Sequence, residues 1–177
     1  MRLFVALDLS WPLREQLTRL STGIPGCRWM PAENLHLTLR FIGEVPNWRA
    51  EEIDLALQAI KSRRFPLTLS GVGLFEKGGR VTSLWAGIER CPQLDHLQSK
   101  VETALQRAGV EPERRRFTPH VTLARLDQPA IEKVTRFLQG HSLFRAEPYE
   151  VEWFTLFSSQ LGNEGSVYTP ENDYSLS

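Results

Sequence analysis

"NLHLTLRFIGEV" (residues 34–45) and "FTPHVTLARL" (residues 117–126) decide how this chain folds. Their histidines lie eighty-four residues apart, and each opens a His-x-Thr followed by a leucine inside an apolar run. Side chains on a strand alternate between its two faces. In the first stretch Leu35, Leu37, Leu39 and Phe41 therefore share one predicted face, and His36, Thr38 and Arg40 the other. In the second, Val121 and Leu123 oppose His120 and Thr122. Each stretch reads as a strand that buries one side and offers a neighbouring imidazole and hydroxyl on the other.

The surroundings repeat as well. After the first strand, 47–62 has Asn47 as a cap and Ile53, Leu57 and Ile60 at helical spacing. After the second, 129–140 reads as a helix stopped by Gly140. "RLFVALDL" (2–9) is a buried strand, and Ser10 caps a helix carrying Pro12, Leu13, Leu17 and Leu20. Residues 65–75 and 80–89 are strands around the turn "EKGG". Residues 91–109 form a helix ended by Gly109. Residues 149–159 and 166–170 make a closing strand pair. Two similar α+β lobes facing each other are the economical reading.

Bulk properties narrow the chemistry. The chain has 177 residues with 41% hydrophobic side chains, enough for a real core. Its 21 basic and 21 acidic residues balance, so no global field points to long nucleic acid or an anionic membrane, while a small anion held locally stays open. Cys27 and Cys91 are far apart and outside any metal-ligand pattern, which fits a reducing compartment. "MRLFVALDLS" is too short for a membrane span and lacks a cleavage site. A cytoplasmic protein is expected.

Two imidazoles facing one cleft have a definite aptitude. Each titrates near neutrality, so one can serve as base and the other as acid. Breaking a phosphodiester without a metal needs both tasks, from opposite sides of the phosphorus, because attacking and leaving oxygens lie in line. The threonine hydroxyls can donate to the non-bridging oxygens. A single His-x-Thr in a strand is most often a satisfied core histidine beside a β-favouring threonine; the second copy is what points to a site. No carboxylate or cysteine stands at ligand spacing near either histidine, and no Gly-x-Ser-x-Gly elbow is present.

"LFVALDL", "NLHLTLRFIGEV", "FTPHVTLARL" and the closing "FTLFSSQLG…SVYTP" resemble, in order and over nearly the whole chain, the 2H phosphoesterase superfamily. The nearest likeness is to its bacterial and archaeal RNA 2′,3′-cyclic phosphodiesterases, formerly called 2′-5′ RNA ligases. The resemblance implies one bilobal α+β domain over 1–177: two antiparallel sheets related by a pseudo-twofold axis, helices outside, a cleft between. It implies no metal and no cofactor. It implies hydrolysis of RNA 2′,3′-cyclic phosphate ends, or of small cyclic nucleotides, to 2′-phosphomonoesters by a monomer. His36 would be the proton donor to the leaving 3′-oxygen, His120 the proton acceptor from water, and Thr38 and Thr122 phosphate contacts. Spacing alone leaves the acid and base interchangeable. Alternatives are another 2H activity (hydrolysis of a cyclic ADP-ribose phosphate or of 2′-5′ oligonucleotides, reversible 2′-5′ ligation) and a non-catalytic RNA-end-binding module.

Other residues carry expectations of their own. Arg125 is a candidate substrate-binding group, as an arginine follows the motif in close relatives; strict alternation puts it opposite His120, so it needs a bulge or a strand end. Arg40 is expected in a surface ion pair and Phe41 in the core. "ERRR" (113–116) draws in an RNA tail or is a solvated run, and Phe117 stacks on a base or packs its loop. His96 and His141 are read as solvated, Trp85 and Trp153 as core.

Overall fold

The computed structural model describes residues 1–177. In chain order the elements are β1 (Arg2–Asp8), α1 (Trp11–Leu20), β2 (Arg28–Trp29), a 3₁₀ turn (Ala32–Asn34), β3 (His36–Glu44), α2 (Asn47–Gln58), β4 (Phe65–Leu67), β5 (Leu69–Lys77), β6 (Arg80–Ile88), α3 (Pro92–Arg107), β7 (His120–Arg125), α4 (Ile131–Gly140), β8 (Tyr149–Val151), β9 (Trp153–Gly162) and β10 (Gly165–Ser175). No helix is long and apolar enough to cross a membrane.

The strands form an antiparallel sheet in the order β10-β9-β1-β3-β7-β6-β5, with β2 added to β7; β4 and β8 form a second, two-stranded sheet. The order reads alike outward from its middle. β3 and β7 carry the two His-x-Thr triplets, β1 and β6 flank them, and β9 and β5 follow. Those central strands pair at a single point, Leu37 with Val121. From there the halves diverge, and β2 fills the wedge with Arg28 against Arg125 and Trp29 against Ala124.

One face of the sheet is covered by helices. Leu3, Val5 and Leu7 of β1, Leu37 and Leu39 of β3, and Val121 and Leu123 of β7 join Leu13, Leu17, Ile53, Leu57, Leu94, Leu97, Val101, Leu105, Val134 and Phe137 from the four helices in one buried cluster. Burial of each such side chain is worth about 1.5–3 kcal/mol, which fixes which face of β3 and β7 turns inward. The opposite face of β1 supplies Phe4 and Ala6 to a small cluster with Phe157 and Tyr168. The β5–β6 hairpin turns at Gly78 and Gly79, both at positive φ (61° and 78°), the geometry of a two-residue type I′ turn.

Several boundaries differ from the expected ones. α2 is capped by Pro46, with Asn47 already inside the helix, and ends at Gln58. Gly140 is the last residue of α4 rather than its stop. The two long strands expected at 65–75 and 149–159 each change partner near their start, at Thr68 and Glu152, giving β4 and β8. Apolar alternation runs through both breaks, so only the partner strands reveal them.

The most consequential departure is shared by both halves. Along β3 the partners on β1 run Val5–Arg40 and then Ala6–Thr38, leaving Leu39 as an extra residue. Along β7 the partners on β6 run Leu84–Ala124 and then Trp85–Thr122, leaving Leu123 as an extra residue. These are β-bulges, and beyond each one the alternation is reversed. Arg40 therefore joins Leu39 on the helix side, 6% exposed, where Nε and Nη2 donate to Glu102 of α3 at 2.6 and 3.2 Å. It also donates to the carbonyls of Phe41 and Glu111. The surface pair expected for Arg40 is a buried one. Phe41 is not core: it is 53% exposed, with its ring 5.8 Å from Phe4 on the His36 side.

Candidate active site

The face turned away from the helices holds the four residues of the paired triplets. Because β3 and β7 run antiparallel from the Leu37–Val121 pair, His36 lies toward Thr122, and Thr38 toward His120. The histidines thus stand at opposite ends of one polar strip, with a hydroxyl beside each. All four side chains are half-buried, so they are reachable from solvent but partly dry.

Each imidazole is oriented in the same way. His36 Nδ1 lies 2.7 Å from the carbonyl of Asn34, and His120 Nδ1 lies 2.7 Å from the carbonyl of Thr118. A carbonyl only accepts, so Nδ1 carries the proton in both rings and Nε2 is the atom left for chemistry. The 3₁₀ turn just before β3 supplies the Asn34 carbonyl. Asn34 is held in turn by its own Nδ2, which donates to Ser166 at 2.9 Å. Sequence reading singled out neither orienting carbonyl; the signal was the constant offset of two residues before each histidine.

The two Nε2 atoms then differ. Thr38 donates its hydroxyl to His36 Nε2 at 2.9 Å. Nε2 of His120 makes no hydrogen bond within the protein. Burial pulls the pKa of His36 down to about 4, against the Asn34 carbonyl, which favours the charged ring; Arg14, His120 and Arg125 lower it further. His120 is also lowered, first by burial and then by Arg125, with the Thr118 carbonyl opposing. That each imidazole feels Arg125, and His36 feels His120, marks them as one electrostatic unit.

Arg125 reaches this face because of the β7 bulge. Ala124 takes the buried helix-side place and Arg125, at the other end of β7 from His120, turns to the face of His120 and Thr122. Around His120 stand Phe75, with ring centroids 4.8 Å apart and edge-on, and Trp85 at 6.3 Å. Around His36 stand Phe4 at 5.0 Å and Tyr168 at 5.3 Å. Trp85 therefore stands on the histidine side of the sheet, outside both buried apolar clusters. Its indole lies flat over Gly73 of β5, where a Cβ would come within 2.3 Å of the ring. The small residue across from a tryptophan was the available sign. Trp153 is 40% exposed at the start of β9. Phe117 packs against the main core, and Arg115 of the basic run is paired with Glu113. His96 is exposed, while His141 is half-buried against Phe137 at 4.8 Å.

No three His, Cys, Asp or Glu side chains converge to hold a metal ion. A surface hollow of about 790 Å³ lies on the helix side among Lys61, Arg63, His96 and Lys100, and has no second imidazole to share proton transfer.

Two imidazoles and two hydroxyls on twofold-related strands are suited to paired acid and base chemistry. Comparison with known proteins makes the assignment specific. The family described as LigT like Phosphoesterase matches twice, over residues 7–85 and 88–168, one match for each half. The chain belongs to this family. It is 36% identical over 152 residues to the RNA 2′,3′-cyclic phosphodiesterase of Aeropyrum pernix, covering 83% of this chain and 84% of that one. It is 34% identical over 179 residues to the RNA 2′,3′-cyclic phosphodiesterase of Escherichia coli, covering 99% and 96%. The crystal structure of E. coli LigT complexed with 3′-AMP superposes with a TM-score of 0.79 at 28% identity, over 99% of this chain and 97% of that one.

Proposed function

We propose that this chain hydrolyses RNA 2′,3′-cyclic phosphate ends to 2′-phosphomonoesters, without a metal, using His36 as acid and His120 as base. The observation that carries the reading is the pair of Nε2 atoms turned to one face from twofold-related strands, each ring fixed by a carbonyl on Nδ1. The free Nε2 of His120 takes a proton from water as the oxygen attacks phosphorus. His36 gives its proton to the departing 3′-oxygen. Thr38 and Thr122 donate to the non-bridging oxygens, and Arg125 supplies positive charge to the substrate's phosphates. When His36 is protonated, its Nε2 no longer accepts from Thr38, so that hydroxyl is released to the phosphate.

The acid role requires His36 to be charged at neutral pH, although burial holds it at about 4 in the free protein. Bringing it back to neutrality costs about 4 kcal/mol at 1.36 kcal/mol per pH unit. A unit anion about 4 Å from an imidazolium returns about 4 kcal/mol at an effective dielectric of about 20. The bound phosphodiester is therefore of the right strength to create its own acid. The reversed assignment has one observation in its favour, the deeper burial of His36, and the leaving-group experiment in the Discussion separates the two.

The functional test is incubation of the purified protein with a nucleoside 2′,3′-cyclic phosphate in EDTA, with identification of the product. The nucleoside 2′-phosphate is expected. A 3′-phosphate, or turnover that returns only on adding a divalent metal, contradicts the reading.

A further inference from the structure

The carbonyl that orients His36 is itself held from behind. The Asn34 C=O and the Leu35 N–H belong to one planar trans peptide group and point opposite ways. Leu35 N–H donates to the Ala32 carbonyl at 3.2 Å, which closes the 3₁₀ turn. Across the same plane the Asn34 carbonyl lies 2.7 Å from His36 Nδ1. The place of the Ala32 carbonyl therefore sets where the Asn34 carbonyl points. That Ala32 carbonyl takes a second hydrogen bond, from Nη1 of Arg14 at 2.9 Å.

Arg14 is itself firmly tied. It belongs to α1 and is 5% exposed. Its Nε donates to the Leu9 carbonyl at 2.7 Å and its Nη2 to the Asp8 carboxylate. Asp8 ends β1, directly across from His36. A planar guanidinium, with donors in a rigid fork, thus joins the end of β1 to the turn that opens β3. The second half has no counterpart. The carbonyl that orients His120 belongs to the Thr118–Pro119 peptide, which has no N–H to be held.

We infer that Arg14 is a positioning residue: through the Ala32 carbonyl it fixes the Asn34 carbonyl, and so selects the Nδ1–H form of His36. The inference rests on the functional reading above and deepens it. Thr38 does not make this selection, because a hydroxyl both donates and accepts and would pair with either form of Nε2. The selection matters to an acid. A ring that gives its Nε2 proton to the leaving oxygen is left with the Nδ1 proton, the form the Asn34 carbonyl favours.

The test reads the ring itself. In protein with isotope-labelled histidine nitrogens, NMR shifts distinguish the two neutral forms at neutral pH, where burial keeps the free His36 ring uncharged. Wild type should show Nδ1–H at both His36 and His120. Arg14→Met should turn His36 into a mixture of the two forms and leave His120 as it was. Arg14→Lys keeps the charge but not the fork, and should also give a mixture; if Arg14→Met fails to fold, this variant decides. Arg49→Met, which breaks a comparable arginine–carbonyl bond to Ala108, should change neither ring. On a 2′,3′-cyclic nucleotide, kcat should fall about 2- to 10-fold in the shifted variants with KM held, the worth of one hydrogen bond. A pure Nδ1–H signal at His36 in a folded Arg14 variant overturns the inference, as does a shift shared by His120. An unchanged kcat beside a shifted ring overturns its part in the reaction. If the ring shifts as expected but wild type hydrolyses no cyclic phosphate, the functional reading fails and the positioning of His36 by Arg14 stands.

Discussion

The two halves of the molecule share a backbone and divide the work by what they hang on it. β3 and β7 each place a histidine, a threonine and a bulge at the same spacing. At the buried bulge position one half has Arg40, tied to Glu102, and the other Ala124. At the next position one half turns Phe41 to the cleft side and the other Arg125. Aromatic rings surround both imidazoles, Phe4, Phe157 and Tyr168 at His36 and Phe75 and Trp85 at His120. The rings differ at Nε2, which accepts from Thr38 in His36 and has no protein partner in His120. Repetition of the fold thus supplies placement, and departures from repetition supply the difference between the two imidazoles.

Removing either imidazole probes the shared part. His36→Ala and His120→Ala should each slow turnover of a 2′,3′-cyclic nucleotide by about 10²–10⁴-fold, the usual contribution of a positioned acid or base. Because they act on one reaction as a unit, the double variant should be far less than the product of the two losses. Steady-state rates with folding checked by circular dichroism decide it. Independent, multiplying effects would separate the two histidines mechanistically.

Thr38→Val and Thr122→Val should come next, with losses of up to about 10²–10³-fold in kcat if each hydroxyl donates to the developing phosphorane oxygens. The comparison is informative because only Thr38 bonds its histidine. Thr38→Val should also move the pH profile, whereas Thr122→Val should leave its shape unchanged. Equal effects on shape would show that the Thr38–His36 bond has no role in proton transfer.

The third contrast is in stability. Arg40→Met strips a part-buried carboxylate, Glu102, of its partner, and broken buried pairs cost about 3–5 kcal/mol. Glu102 keeps 17% side-chain exposure, so about 3 kcal/mol is expected by urea unfolding. The double change Arg40→Met with Glu102→Leu should recover most of it. No recovery would mean that the carbonyl contacts of Arg40 to Phe41 and Glu111 dominate.

The smallest effect is a displacement in pH. The base works only when neutral, so the rate falls as pH drops below its pKa. The acid works only when charged, so the rate falls as pH rises above its own. Burial lowers both imidazoles in the free protein, His36 to about 4. The kcat/KM profile, which reports the free protein, should be a bell lying below the ordinary imidazole value of about 6.5. The kcat profile should lie at higher pH, because the bound phosphate anion favours both charged rings. Coincident profiles would show that the phosphate does not charge the acid. The two apparent values belong to the pair rather than to either ring.

Much of this was legible in the sequence. Alternation around His36, Thr38, His120 and Thr122 gave the strands and their polar face, and the helices after each motif are where the apolar spacing put them. What alternation could not give was its own interruption. The bulges at Leu39 and Leu123 depend on how β1 and β6 lie against the motif strands, a non-local matter. That single unknown misplaced both Arg40 and Phe41 and left Arg125 conditional. Trp85 escaped for another reason: an apolar ring in a strand suits the core as well as the histidine face, so hydropathy does not say which side it takes.

The most direct test of divided labour changes the leaving group. With sulfur in place of the bridging 3′-oxygen, a thiolate of pKa about 8.5 departs with little need of a proton. Each variant is compared with wild type on the same substrate. His36→Ala should regain much of its relative activity on the sulfur compound, and His120→Ala should not, because water still has to lose its proton. Rescue of His120→Ala and not of His36→Ala would contradict the assignment and reverse the two roles.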